Sequence, residues 1–194
     1  PMIDDLGISR TAMTTSYLIG TLVGALALPW IGQAIDRYGV RRVMIIVGAL
    51  FGAFLIAMSF VSGIVGLTAG FIGIRMMGQG ALNLTATTSV ALWFSRKRGL
   101  AMGIVTAVGA VGMTLVPLLG ESLIADYGWR QTWVIEGLVV WALVLPIAIF
   151  GIRNRPSDVG QYVDGDPAPV DGSDDDWGVK RSEALRTGFF WLVT

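Results

Sequence analysis

Arg75, Gln79, Asn83 and Thr87 recur at every fourth position inside an otherwise apolar stretch. On an α-helix such positions stack above one another with a slow drift, so one charge and three neutral hydrogen-bonding groups share a face. An arginine this deep in an apolar run costs at least about 2.5 kcal/mol unless it is paired or wetted. The chemistry it suits is reversible capture of a carboxylate, with the amides and the hydroxyl as neutral partners. The other reading is a structural Arg75 paired with a buried glutamate, its neighbours bonding between helices. Glu121 and Glu136 are the carboxylates of the later apolar runs. Each suits a proton carrier, a counter-ion for Arg75 or a place near headgroups. With no histidine and no cysteine, disulfides and the usual zinc and imidazole chemistry are excluded, and no catalytic residue, metal site or cofactor is assigned.

The elements that must position these side chains are helical and lipid-embedded. The 194 residues are 54% hydrophobic and 14% charged, where soluble domains carry about a quarter charged residues. Thr11 to Ile35 and Val43 to Ile74 contain no charge at all. Crossing about 30 Å of hydrocarbon takes roughly 20 apolar residues as helix, and the runs lack the alternation of a barrel strand. The expected fold class is all-α, a polytopic transmembrane helical bundle. Spans fall at about 11–35, 43–62, 66–94, 99–125 and 131–152, the long run after Val43 being divided near Ser59 to Gly66.

Counted on alternate sides of these spans, Arg37, Arg41, Arg42, Arg96, Lys97, Arg98, Arg153, Arg155, Lys180, Arg181 and Arg186 fall on one side and only Arg10 and Arg130 on the other. The basic side is expected to be cytoplasmic. Residues 153–186, rich in Pro, Gly and Asp, predict a largely irregular cytoplasmic linker, in which Asp174, Asp175 and Asp176 read as a solvated acidic run. Residues 187–194 turn aromatic and apolar and predict the start of a further crossing. The opening, with Asp4, Asp5 and Arg10, reads as a loop entering a helix rather than a signal peptide. An odd number of spans followed by the start of another predicts a fragment. Net charge is zero, which gives no reason to expect nucleic acid as a partner.

The densest charge in the first half is GQAIDRYGVRR, residues 32–42, between the first two spans. Gly32, Asp36, Arg37, Gly39, Arg41 and Arg42 resemble the G-x-x-x-D-R-x-G-R-R signature between the second and third helices of major facilitator superfamily transporters, with Val40 as the one departure. WFSRKRGLAMGI (Trp93 to Ile104) is similar to the basic turn before the fifth helix of that superfamily, and YGWR (Tyr127 to Arg130) to the approach to its sixth. NRPSDVGQYVDGD and SEALRTGFFWLV resemble the central loop and seventh-helix start of the branch holding monocarboxylate and oxalate/formate-type carriers. The resemblance implies helices two to six of a twelve-helix fold in two halves. Residues 1–152 are then the N-terminal half without its first helix, 153–186 the central linker and 187–194 the start of helix seven. It further implies that the 32–42 turn latches onto the other half, Gly32 and Gly39 allowing close backbone approach and Asp36 capping or pairing across. The plainer reading is that its arginines set topology and meet anionic headgroups.

The resemblance also places Arg75 on a cavity-lining helix, although RMMGQG is shifted by one from the commoner spacing. Gly103, Gly109, Gly112, Pro117 and Gly120 partly resemble an antiporter motif from which Val116 and Glu121 depart. The glycine pairs Gly20/Gly24 and Gly48/Gly52 predict close helix packing. The expected function is secondary transport of a small solute, favoured as a small organic anion such as a monocarboxylate, with protons as a candidate coupling ion, by alternating access. Its partners are that substrate, the bilayer and the other half of the carrier. An exporter of drugs or amphiphiles, and a non-transporting membrane sensor or scaffold, are the rival readings.

Overall fold

The computed structural model describes residues 2–165; the expected acidic run, the rest of the linker and the seventh-helix start lie outside the described residues. A short α1 (Met2–Leu6) precedes four helices and one composite rod. These are α2 (Arg10–Tyr38), α3 (Val40–Met58), the rod, α6 (Arg98–Tyr127) and α7 (Trp129–Pro146), which continues through a π turn at Ile147–Gly151. The rod consists of α4 (Ile64–Ile74), a π-helical segment (Arg75–Leu82) and α5 (Asn83–Trp93), and it stays right-handed helical across both joins. No strand occurs among the described residues. Arg10–Tyr38, Val40–Met58, Arg98–Tyr127 and Trp129–Gly151 are each long and apolar enough to cross a bilayer.

Serine 9 starts α2, its side-chain oxygen accepting the Ala12 N–H at 3.1 Å, a preferred N-cap arrangement. Helices α2 and α3 are then joined by one residue. Gly39 adopts φ 84° and ψ 154°, donates its N–H to Ile35 O at 2.8 Å and accepts from the Val43 N–H at 3.3 Å. It closes one helix and opens the next, in a conformation glycine reaches without the Cβ penalty. Gly128 repeats this at the other end of the bundle, between α6 and α7, with φ 80° and ψ 159°. Both glycines follow a tyrosine and precede an arginine by two residues.

Close helix pairs are set by small residues. A Cβ on Gly20 would stand 2.9 Å from the Phe71 backbone and one on Gly24 3.1 Å from Met76 N, so α2 and the rod touch backbone to backbone. On α3, Gly48 faces the Val144 side chain and Gly52 the Trp141 indole of α7. That indole donates to Ala49 O at 2.9 Å. The buried apolar core gathers around Ile35, Val40, Met44, Val47 and Met77 at one end and around Met58, Leu67 and Phe71 at the other. Helix α6 packs least, with Gly120 its only buried residue among the described residues.

The residues that follow α7 hold ordered turns. Two short 3₁₀ turns, Pro156–Val159 and Val163–Gly165, dock beneath the α5–α6 junction. Trp93 Nε1 donates to Arg153 O at 3.3 Å. The buried Asp164, at φ 63°, accepts the N–H groups of Ser95, Arg96 and Lys97 at 3.2, 2.7 and 3.2 Å. Pro/Gly/Asp composition hides this, because a carboxylate capping orphan N–H groups in another segment has no local signature. Burial pushes the Asp164 carboxyl up, but the N–H groups of Arg96, Lys97 and Ser95, with the charge of Arg96, hold it below the ordinary carboxylate value. A carboxyl depressed on folding stabilises above its unfolded pKa and loses that contribution as pH falls through the lower, folded value. Asp164→Asn is expected to speed amide exchange at Ser95 to Lys97 on the order of tenfold. Measured as protection relative to the intrinsic exchange rate at each pH, acidification through and below the carboxylate range should lower protection at these amides in the parent chain and leave that of the variant unchanged.

Candidate functional site

The repeat at Arg75 folds more favourably for a site than α-helical spacing predicts. Four residues of α-helix overshoot a full turn by roughly 40°, whereas a π segment closes its hydrogen bonds at i→i+5 and undershoots. With Arg75 and Gln79 inside the π segment and Asn83 at its end, the drift reverses and the three stay on one wall. They line a cleft of about 820 Å³ together with Tyr17 of α2, Phe51 of α3, and Gly112, Met113, Val116 and Pro117 of α6. Arg75 is the only charged residue on that lining among the described residues. Thr87 is not part of it; its hydroxyl turns back to Asn83 O at 2.9 Å and Leu84 O at 3.1 Å, a self-contained bond common for threonine in apolar helices.

Arg75 is half-buried and its partners are not acidic. Nε donates to Thr21 Oγ1 at 3.0 Å, and the guanidinium lies 4.5 Å from the centre of the Tyr17 ring. No carboxylate pairs with it among the described residues, so the counter-ion role expected of Glu121 or Glu136 is not made here. Glu121 is exposed; Glu136 is half-buried on the α6–α7 seam, with Oε1 3.4 Å from where a Cβ on Gly120 would stand. Neither lines the cleft.

Tyr17 and Thr21 were not legible as site residues, being an ordinary aromatic and an ordinary hydroxyl one turn apart in a long apolar run. What brings them to Arg75 is the Gly20/Gly24 contact between them and the rod. The available signal was the glycine pair flanking Thr21, which marks the face of α2 that meets another backbone.

The 32–42 turn divides in two. Arg41 faces inward: its N–H donates to Asn154 Oδ1 at 3.0 Å and Nη2 to Ile149 O at 2.6 Å, tying the start of α3 to the end of α7. Gly39 lies against the same asparagine, a Cβ there standing 2.6 Å from Asn154 Oδ1. Asp36, Arg37 and Arg42 are exposed, and Asp36 has no partner among the described residues. Arg37 sits 5.4 Å from the ring of its neighbour Tyr38. At Gly32 nothing among the described residues lies within 4 Å of where a Cβ would stand.

The opposite end mirrors the Arg41 clamp. Arg130, second residue of α7, donates to Ser59 O at 2.8 Å and Val61 O at 3.1 Å just past α3, and to Asp5 Oδ2 at 3.2 Å. Thus α3 and α7 run antiparallel, each opening on a Tyr-Gly turn and each placing its second-residue arginine on the carbonyls that end the other.

A family model, described as Major Facilitator Superfamily, matches residues 1–194. The chain belongs to the major facilitator superfamily. It is therefore a multi-pass integral membrane protein of a transporter family. Among similar proteins, the oxalate:formate antiporter of Oxalobacter formigenes is 29% identical over all of this chain and 44% of its own length. Monocarboxylate transporter 1 of Bos taurus is 35% identical over 76% of the chain and 28% of its own length. An uncharacterised transporter of Bacillus subtilis is 25% identical over 80% of the chain and 38% of its own length. The chain thus spans less than half the length of these relatives.

Arg41→Gln is expected to lower the stability of the bundle by about 1.5–3 kcal/mol, since it removes the charged Nη2 donor and leaves Ile149 O unpaired, while the backbone bond to Asn154 remains. Arg42→Gln, at an exposed neighbour, should leave the melting temperature within error. Thermal denaturation of both variants of the full-length protein in detergent checks the contrast.

Proposed function

We propose that this chain supplies the N-terminal half of a secondary transporter that carries a small organic anion, such as a monocarboxylate, by alternating access. In this reading residues 1–152 are helices two to six of that half, 153–186 a cytoplasmic linker and 187–194 the start of the seventh helix. The observation that carries it is the state of Arg75. A lone guanidinium, held by a hydroxyl and a ring rather than by a carboxylate, faces an otherwise neutral cleft. Its charge is left for a ligand to neutralise, and a carboxylate does this with two parallel bonds. Gln79 and Asn83 on the same wall offer neutral donors and acceptors to the rest of a small solute. Similarity to carriers named for monocarboxylates, oxalate and formate supports the anion over an amphiphilic drug.

Asp36, Arg37 and Arg42 form the part of the 32–42 turn available to latch onto the other half, while Arg41 serves this half. For coupling, Glu136 on the α6–α7 seam is better placed than the exposed Glu121. The full-length protein in proteoliposomes, given a panel of monocarboxylates, oxalate and organic cations, is expected to take up anions. Arg75→Gln should raise KM roughly 10- to 100-fold; an anion uptake that ignores Arg75→Gln removes the anchor. Asp36→Asn should slow turnover at unchanged expression by shifting the balance of open states, read by accessibility of single cysteines placed at each end. A proton-coupled carrier should lose its pH dependence in Glu136→Gln, and a pH profile unaltered in both Glu→Gln variants removes these carboxylates from coupling.

A further inference from the structure

We infer that Thr21 is a positioning residue that decides which edge of Arg75 the substrate meets, restricting a carboxylate to end-on capture by the two terminal nitrogens. The inference rests on the reading of Arg75 as the substrate anchor and adds to it a geometry and a residue on another helix.

A guanidinium offers a carboxylate two bidentate edges: the side formed by Nε with one terminal nitrogen, and the end formed by both terminal nitrogens. In this protein the first is occupied. Nε donates to Thr21 Oγ1 at 3.0 Å. A guanidinium can only donate, and the Thr21 hydroxyl gives its own proton to Tyr17 O at 2.9 Å. With its hydrogen committed to its own helix, Oγ1 presents only lone pairs to Arg75. No hydrogen bond or ion pair to the terminal nitrogens occurs among the described residues, and Arg75 lies on the lining of the cleft.

One face of the guanidinium is also fixed. The Tyr17 ring lies 4.5 Å from Arg75 Cζ and packs edge-on against Phe71, with centroids 5.8 Å apart and planes at 82°. Tyr17 and Thr21 are four residues apart on α2, Phe71 and Arg75 four apart on the rod, so two adjacent turns of each helix interlock. The lattice is possible because Gly20 lies against the Phe71 backbone and Gly24 against that of Arg75 and Met76. An arginine held at Nε and on one face loses little further freedom when it binds, which is how preorganisation raises affinity. Turnover, set by the rocking of halves, does not pass through this bond.

The experiment is zero-trans uptake of a radiolabelled monocarboxylate by the full-length carrier in proteoliposomes, with KM and kcat measured separately and competition by the primary amide of the same acid. Thr21→Val keeps the shape and removes the acceptor. It is expected to raise KM roughly threefold to tenfold with kcat retained, and to narrow the preference for acid over amide. Thr21→Ser, which restores both hydrogen bonds, should return KM to the parent value, and Tyr17→Leu should raise it. In the Arg75→Gln background Thr21→Val should add nothing. A Thr21→Val carrier with the parent KM while Arg75→Gln has lost binding overturns the positioning role alone. A fall in kcat without a change in KM, or failure of serine to rescue, also overturns it by assigning Thr21 to helix packing. A parent KM in Arg75→Gln overturns the anchor itself.

Discussion

A peptide N–H or C=O inside hydrocarbon has no water to fall back on, and each one left unpaired costs several kcal/mol. Long helices satisfy this along their length and leave the difficulty at their ends, where four donors or four acceptors lose their partners. The protein answers it differently at each junction. At Gly39 and Gly128 one helix passes into the next through a single residue, so almost no backbone is left outside a helix. Where a chain end must stop against a neighbour, an arginine supplies the donors: Arg41 to Ile149 O, Arg130 to Ser59 O and Val61 O. Where α6 begins, Asp164 supplies the acceptors from 67 to 69 residues further on. The charged residues at the two ends of the bundle are thus in good part solutions to the helix-end problem.

The same constraint explains what could be read from the sequence. Apolar length and charge-free runs located the helices, because hydrocarbon thickness imposes length directly. The 32–42 motif pointed to the superfamily, and the Gly20/Gly24 and Gly48/Gly52 pairs to packing faces. The π segment at Arg75–Leu82 left no trace in the residue pattern, since periodicity in an almost uniformly apolar stretch is weak and π geometry is decided by what the wall packs against. Its consequence was to hold Arg75, Gln79 and Asn83 together while Thr87 turned to its own backbone. Arg41 could not be separated from Arg42 by type or position, because only the path of α7 decides which of two adjacent arginines finds a carbonyl. The partners of Arg75 were hidden for a related reason: an expectation of charge pairing looks for Glu121 or Glu136, whereas a hydroxyl and a ring were already within reach across the glycine contact.

That choice of partners has a physical consequence. A buried arginine paired with a carboxylate is neutral as a unit and attracts an anion weakly, and breaking the pair to bind substrate costs the desolvated charge of the partner. A hydroxyl and an aromatic face steady the cation without cancelling it. The cleft therefore keeps a net positive charge in a medium where charge is strongly felt. On the proposed reading, selection for small anions follows from electrostatics before any shape is matched, and neutral or cationic amphiphiles gain nothing from the same group.

The scaffold around that charge is uneven in firmness, and the unevenness has a direction. Helix α2 with the rod, and α3 with α7, are fitted at glycines and stitched by Ser16–Thr68, Thr21–Arg75 and Trp141–Ala49 hydrogen bonds. Helix α6, which forms the facing wall of the cleft, buries only Gly120 among the described residues. Nothing among the described residues lies beside Gly103, Gly109 and Gly112, and the helix carries Pro117, which removes a backbone bond at the cleft itself. Low local packing is where motion costs least. In the proposed carrier, this arrangement would keep the anchoring charge on the closely fitted pairs and leave the facing wall to the spanning helix with the fewest contacts among the described residues, so that the opening could change while the geometry at Arg75 did not.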